Sequence, residues 1–267
     1  RSYSVTGVQT CALPISVIEA ALQANENITV YGDYDTDGVT SSSLLFEFFS
    51  ELGHEPRVYI PNRFEEGYGL NLDAIELLAA EGTQLLITVD CGIRSLREVQ
   101  RAKELGMRVI VTDHHQPGDD LPQADAVINP HQPTDPYPYK ELAGVGLAYK
   151  LAEAWLRIHP NPDVDLDHWL DLVAIGKVVD VAPLTGENRS LVKRGLALMR
   201  QPHRQGLFSL TQVASINPAK INAGNLGFAV GPRLNAAGRL ENALDSFRLL
   251  TSKDVFGAGW LAQQLES

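Results

Sequence analysis

Cysteine is nearly absent from the chain. Two residues in 267, Cys11 and Cys91, cannot build a disulfide framework, so a reducing cytoplasm is the expected compartment. No apolar run approaches the roughly 20 residues that a membrane span requires, so no membrane partner is expected. The N-terminus lacks the basic start and continuous apolar stretch of a signal peptide. Basic residues are scarce too: Lys and Arg number 22 against 33 Asp and Glu, for a net charge of −11. That balance argues at first against a nucleic-acid partner, because phosphate binders are usually basic. There is no internal repeat, low-complexity tract or heptad array. The remainder, 44% hydrophobic and 21% charged, is ordinary for a globular protein with one large or two modest domains.

Residues 1–16, RSYSVTGVQTCALPIS, show neither a strand nor a helix period and are expected to be a non-native or disordered leader. From Val17 short apolar runs alternate with amphipathic stretches. Strands are expected at Ile28–Tyr31, Arg57–Ile60, Leu85–Val89, Val109–Thr112 and Ala126–Ile128. Helices are expected between them at Val39–Leu52, Leu72–Ala80 and Leu96–Leu105. Such alternation indicates parallel β-α-β units with both sheet faces covered. The expected fold is therefore α/β, a doubly wound and mainly parallel five-stranded sheet over residues 17–135. After the proline-rich stretch Pro130–Pro138 the strand signals stop. Gly144–His159, Leu166–Val179, Arg189–Arg200 and Val255–Glu266 read as helices of a mainly helical extension, residues 136–267.

The acidic residues cluster at strand ends. Strand one runs into Gly-Asp33-Tyr-Asp35-Thr-Asp37-Gly, strand three into Asp90-Cys91-Gly92, and strand four into Asp113-His114-His115. In an open parallel sheet, ligands bind beyond the carboxyl ends of the strands. Gathering that many like charges is costly unless a cation lies between them. Oxygen donors suit magnesium or manganese, and an added imidazole tilts the choice toward manganese. Asp180, where Pro183 closes a helix, is a fourth arm. Setting the six carboxylates Asp33, Asp35, Asp37, Asp90, Asp113 and Asp180 aside leaves −5 of the −11. Bound divalent cations reverse the local sign where they sit.

Each piece also has a plainer reading. DxDxDG resembles a calcium loop, but an EF-hand has flanking helices and a later Glu, and here a strand precedes the acidic run. Asp-Gly pairs are ordinary turn residues, and a lone His is usually structural. Cys91 reads as a small buried residue and not as a thiolate ligand. Gly144-Val-Gly146 opens a helix and either presents amides to a phosphate or simply starts the helix, the plainer of the two. A dinucleotide-binding domain is disfavoured, because strand one is not followed by GxGxxG.

GDYDTDG, LLITVDCGI, VIVTDHH and GKVVDVAPL, in that order, resemble the motif series of the DHH-family phosphoesterases. No histidine stands upstream in motif one, which is similar to the RecJ-type single-stranded-DNA exonucleases and unlike the pyrophosphatase form, His-x-x-Pro-Asp-x-Asp. IPNRFEEGYGLN (residues 60–71) and GPRLNAAGRL (residues 231–240) carry the same likeness, which runs from about Val17 to the last residue. It implies two divalent cations, Mn2+ or Mg2+, held by Asp35, Asp37, Asp90, His114 and Asp180, with Asp90 bridging. It implies that Asp33 and Asp113 orient those ligands and that His115 contacts the scissile phosphate. Arg63 and Arg233 become the candidates for gripping a 5′-phosphate or the backbone, since the guanidinium fork fits phosphate in two-point fashion; Asn235 and Arg239 are weaker ones.

The activity so implied is 5′ to 3′ hydrolysis of single-stranded DNA to 5′-mononucleotides, in DNA repair and recombination. A single-stranded-DNA-binding protein and a helicase are the partners it implies. The alternatives are a DHH phosphodiesterase acting on short RNA or signalling dinucleotides, and a non-catalytic DNA-binding relative. RecJ-like chains are expected to continue into a DHH-associated domain with a Gly-Gly-His motif and an oligonucleotide-binding barrel. On that comparison the present sequence is expected to stop short of both.

Overall fold

In the computed structural model, residues 8–240 and 243–266 are described, with side chains over 13–236 and 243–266. Five strands form the sheet: β1 (Ile28–Gly32), β2 (Arg57–Tyr59), β3 (Leu85–Val89), β4 (Arg108–Thr112) and β5 (Ala126–Ile128). Every pairing is parallel and the order is β2-β1-β3-β4-β5. From β1 the chain steps outward to β2, whereas from β3 it steps the other way to β4. The loops after β1 and β3 therefore diverge, and the crevice between them is the topological switch point where doubly wound sheets bind ligands.

Among the described residues, twelve α-helices follow the chain: α1 (Val8–Gln23), α2 (Thr36–Glu51), α3 (Leu72–Ala80), α4 (Leu96–Glu104), α5 (Gly144–Ile158), α6 (Leu170–Val179), α7 (Gly186–Met199), α8 (Gln205–Val213), α9 (Ala223–Asn225), α10 (Gly231–Leu240), α11 (Leu244–Thr251) and α12 (Val255–Gln264). The strands divide their side chains by the two-residue period of the pleat. Val30, Ile87 and Ile110 join α1, α2, α5 and α6 on one face. Tyr31, Leu86, Val109 and Val111 join α3 and α4 on the other. The helical extension buries Leu191, Leu210, Phe247 and Ala262 in the same core as the first face.

Some helices begin earlier than the sequence reading puts them, α2 at Thr36 instead of Val39 and α7 at Gly186 instead of Arg189, and two readings differ further. α1 begins at Val8, ahead of the expected junction at Val17, and Ile15 is buried together with Ile18. These apolar residues gain their partners only from the sheet and α5, so a short window does not display them as one helix face. The stretch from Leu166 opens as a 3-10 turn, Leu166–Trp169, before α6. There Asp165 accepts from the Asp167 amide at 3.0 Å and tightens the entry.

One buried polar knot ties the extension to the sheet domain. The Arg204 guanidinium donates to Asp171 Oδ2 (2.8 Å), to the Leu250 carbonyl (2.8 Å) and to both Glu47 oxygens, while Trp169 Nε1 donates to Glu47 Oε2 at 3.0 Å. Arg204 is 5% exposed. Arg204→Met leaves the buried Asp171 and the half-buried Glu47 without this cation, so thermal unfolding should show a loss of about 3–5 kcal/mol. A melting temperature within a degree or two of the parent would show that the knot contributes nothing.

Candidate metal centre

The turn after β1 is built by helix capping. Asp35 is the N-cap of α2, and its Oδ1 accepts from the amides of Asp37 (2.8 Å) and Gly38 (3.0 Å), satisfying donors that a helix start leaves unpaired. Gly38 lets the helix fold back on Asp33: a Cβ there would lie 2.4 Å from the Asp33 carbonyl oxygen. Asp37 then meets a second helix start. Its Oδ2 accepts from Gly144 N at 2.6 Å and its Oδ1 from Val145 N at 3.0 Å, so one carboxylate faces the positive end of α5 as well as that of α2. The Gly144 amides thus serve a carboxylate of the chain itself. Glycine is required here for space, since a Cβ at 144 would stand 2.8 Å from Asp90 Cβ and one at 176 would stand 2.7 Å from Asp37 Oδ1.

Asp90 leaves β3 with φ +61°, a left-handed conformation that is uncommon outside glycine and tends to be kept at functional sites. Cys91 behind it is fully buried, with its thiol pushed up by burial, and is not a thiolate. From β4, His114 Nε2 lies 3.0 Å from Asp90 Oδ1, 3.7 Å from Asp37 Oδ2 and 3.9 Å from Asp180 Oδ2. Asp180 is the C-cap of α6, so the first helix pair of the extension closes the site. Asp113 has both oxygens engaged: Oδ1 by His115 Nδ1 (2.7 Å) and the His115 amide (3.0 Å), Oδ2 by the Ile93 amide (3.0 Å).

The donor atoms fall into overlapping groups, each within 4.8 Å: Asp33, Asp35 and Asp90; Asp37, His114 and Asp180; Asp90, His114 and His115. Asp90 and His114 are each shared by two of these groups and together link all three. Burial, reinforced by Asp35, raises Asp33 to about 7, and burial and Asp35 raise Asp180 to about 6. Asp37 is also held well above the carboxylate range by burial and by Asp180 and Asp35, and Asp90 by burial and by Asp37 and Asp35. Burial lowers His114 to about 4, so the imidazole is neutral near pH 7 and offers a lone pair. Asp33 Oδ1, Asp90 Oδ1 and His114 Nε2 are all buried without a hydrogen-bond partner. Two such acceptors 3.0 Å apart need a cation or a proton between them, and neighbouring ligands of a divalent ion bound at about 2.1 Å stand about 3 Å apart. The residues fit a divalent metal site.

The other candidates are placed differently. Arg63 is exposed and lies over the Tyr34 ring, 5.1 Å from its centroid, at the mouth of the site. Arg233 pairs with both oxygens of Glu266 and donates to the Ala229 carbonyl at 2.9 Å, so a phosphate reaching it must displace Glu266. The side chain of Arg239 lies outside the described residues. Asn235 braces motif one: its Oδ1 accepts from Thr36 N at 2.8 Å and Thr36 Oγ1 at 2.7 Å, across 199 residues. Asn235→Ala should weaken manganese binding about 10-fold or more in a calorimetric titration, the scale of lost support behind a metal ligand, while Asn235→Asp keeps the acceptor. An unchanged affinity in Asn235→Ala would show that α2 needs no such brace.

Two residues carry roles that sequence reasoning did not assign. Lys177 is fully buried, donates to Asn188 Oδ1 at 2.7 Å and is lowered to about 8 by burial, with Asp37 acting against that shift. Asn188 in turn donates to the carbonyls of Glu141 and Pro183, fixing the approaches to Gly144 and Asp180. The available signal was a lone lysine in the apolar run LDLVAIGKVV. Tyr68, from the EEGYG segment, lies 3.1 Å from His115 Nδ1 and donates to the Asp90 carbonyl at 3.4 Å.

The chain resembles known proteins over most of its length. The family described as "DHH family, N-terminal domain" matches residues 27–177. The single-stranded-DNA-specific exonuclease RecJ of Bacillus subtilis (strain 168) is 45% identical over 249 residues, covering 93% of this chain and 31% of the relative. RecJ of Escherichia coli (strain K12) is 41% identical over 264 residues, covering 95% and 46%. The chain therefore spans less than half the length of these curated relatives. Among solved structures, an exonuclease RecJ bound to manganese superposes with a TM-score of 0.87 at 36% identity, covering 98% of this chain and 65% of that one. RecJ from Thermus thermophilus in complex with Mn2+ gives 0.83 at 33% identity, covering 97% and 37%.

Proposed function

The chain belongs to the DHH family, and from that premise we propose that it hydrolyses single-stranded DNA from the 5′ end with two divalent cations, Mn2+ or Mg2+. The observation that carries this reading is the set of buried, unpartnered donors, Asp33 Oδ1, Asp90 Oδ1 and His114 Nε2, at the switch point of the sheet. Asp35, Asp37, Asp90, His114 and Asp180 would hold the cations. When bound, the cations supply a polarised water and neutralise charge at the phosphate and the leaving oxygen.

The chain's own residues do the rest. Asp113 fixes the His115 ring through Nδ1 and leaves Nε2 as the nitrogen for the scissile phosphate. The same contact raises the pKa of His115, favouring the cationic form that an anionic substrate needs. Arg63, at the mouth, meets the backbone. Arg233 meets a 5′-phosphate by exchanging Glu266 for it, with Asn235 and Arg239 on the same helix. A single-stranded-DNA-binding protein and a helicase, which present unpaired strands, are fitting partners.

The test compares 5′- and 3′-labelled single strands, a duplex, short RNA and a signalling dinucleotide, each with manganese and with EDTA. The expected result is release of mononucleotides from the 5′ end of single-stranded DNA, abolished by EDTA. Cleavage confined to the dinucleotide or short RNA would replace this reading with the phosphodiesterase one.

A further inference from the structure

A cavity of about 680 Å³ opens beside the metal centre on the α3–α4 side of the sheet, between the loops that follow β2, β3 and β4. It shares Asp113 and His115 with the site described above, but its floor and rim come from residues that have no role in holding cations. We propose that this cavity receives one unpaired nucleobase, that of a nucleotide joined to the phosphate at the metal centre. The proposal rests on the phosphodiester reading and adds to it a base-binding subsite.

Shape, charge and chemistry each point to a base. Tyr68 forms one wall. Its ring stands edge-on to His115 at 5.8 Å and to Tyr34 at 6.5 Å, and its hydroxyl is tied to His115 Nδ1 and the Asp90 carbonyl. The ring is thus held in place while the residue stays 55% exposed, and an immobilised exposed aromatic is a surface on which any base can stack. Leu70 and Ile93 make an apolar floor, and between them the backbone is bare at Gly69 and Gly92. Gly92 has φ +106° and a Cβ there would lie 2.9 Å from Thr88 Oγ1, so no larger residue occupies that part of the floor without strain.

At the rim, Ser95 is the N-cap of α4 yet makes no capping bond with its side chain, which leaves its hydroxyl to meet the edge of a ligand. Arg94 Nε is held by the Gln116 carbonyl at 2.8 Å, closing the rim opposite. The carboxylates of Glu98 and Asp113 also line the cavity. With the Arg94 guanidinium and His115 on the same lining, these charges roughly balance, and a neutral, flat heterocycle with donors and acceptors on its edge suits this mixture. The cavity begins at His115, so the group that reaches it is the base attached next to the reacting phosphate. A base in a duplex enters only by leaving its pair and its stack, so this subsite selects unpaired strands without any basic groove.

The experiment uses single-stranded oligonucleotides in which each of the first three nucleotides in turn is replaced by an abasic residue. The wild-type chain should show KM raised about 10-fold or more at one of the three positions, the scale of one lost base–aromatic contact. Ser95→Phe, and independently Gln116→Phe from the opposite rim, should raise KM for the intact strand until it equals that for the abasic one. Equal wild-type KM values at all three positions, or a ratio that survives both substitutions, overturn the proposal. Hydrolysis of bis(p-nitrophenyl) phosphate by the wild-type chain separates the two levels. If neither it nor DNA is hydrolysed, the phosphodiester reading falls and takes the subsite's occupant with it; if both are hydrolysed with no base dependence, the subsite alone falls.

Discussion

Asp90→Asn should lose manganese binding and at least about 1000-fold of activity, while the metal-free protein becomes more stable. The loss follows from geometry: Asp90 belongs to two of the three donor groups and stands 3.0 Å from His114 Nε2 of the third, so removing its charge disturbs the whole centre. Cation stabilisation of charge in a phosphoryl displacement is worth several kcal/mol, and about 1.4 kcal/mol is tenfold. The gain follows from electrostatics: Asp90 is 1% exposed and is burdened by burial and by Asp37, Asp35, Asp33 and Asp113. Asparagine is the informative replacement, because it tolerates the left-handed backbone at φ +61° better than most residues. Calorimetry with manganese and thermal unfolding in EDTA read the two effects separately. Two-site binding like that of the parent would show that Asp90 does not bridge.

Without metal, the protein should be more stable near pH 5 than near pH 8, and saturating manganese should reverse that order. Asp33 is raised to about 7 and Asp180 to about 6, in both cases chiefly by burial, and Asp37 and Asp90 are raised further. An acid with a raised folded-state pKa holds its proton in the fold where the unfolded chain, near 4, has released it. Its contribution is intact below the unfolded value and is lost as pH rises through the folded one, here between about 4 and 7 for Asp33 and Asp180. His114, lowered to about 4 by burial, acts in the opposite sense, because stability falls as the unfolded imidazole protonates below about 6.5. His168 is lowered by burial too, but four raised carboxylates outweigh these two histidines. A tenfold change in one acid's ionisation constant on folding corresponds to about 1.4 kcal/mol, so the melting temperature in EDTA should fall by on the order of 5–10 °C from pH 5 to pH 8. Metal binding requires ionised ligands and strengthens as pH rises. A metal-free melting temperature that climbs over this range would show that the carboxylates are ionised and stabilised by groups other than a cation.

The parts of this protein that were legible in its sequence are those governed by neighbours in the chain. β3, β5 and α3 were expected with the bounds the structure gives them, and β1, β2 and β4 differ from expectation by one terminal residue each. Continuous β-branched runs between turn residues define a buried strand locally. The metal centre was legible for a related reason: each strand hands its next residues to the carboxyl edge, so Asp33, Asp90 and Asp113 announce a common location once the strands are recognised.

What the tertiary structure decided concerns partners distant in sequence. Asn235 carries the polar amide expected of a phosphate contact, yet its Oδ1 is taken by Thr36, 199 residues away. Arg233 is taken by Glu266, and Arg204 is sealed into the core with Glu47 and Asp171. A guanidinium or amide has the same composition whether it faces solvent, substrate or a buried carboxylate, and only packing selects among these. Lys177 makes the same point from within a recognised motif, GKVVD, where the sequence reading assigned it no role. Because Gly146 leaves room for its ammonium, where a Cβ would stand 2.3 Å from Nζ, it lies buried behind Asp37. Local periodicity determines which backbone forms, but the environment of a polar side chain depends on which distant surfaces meet there.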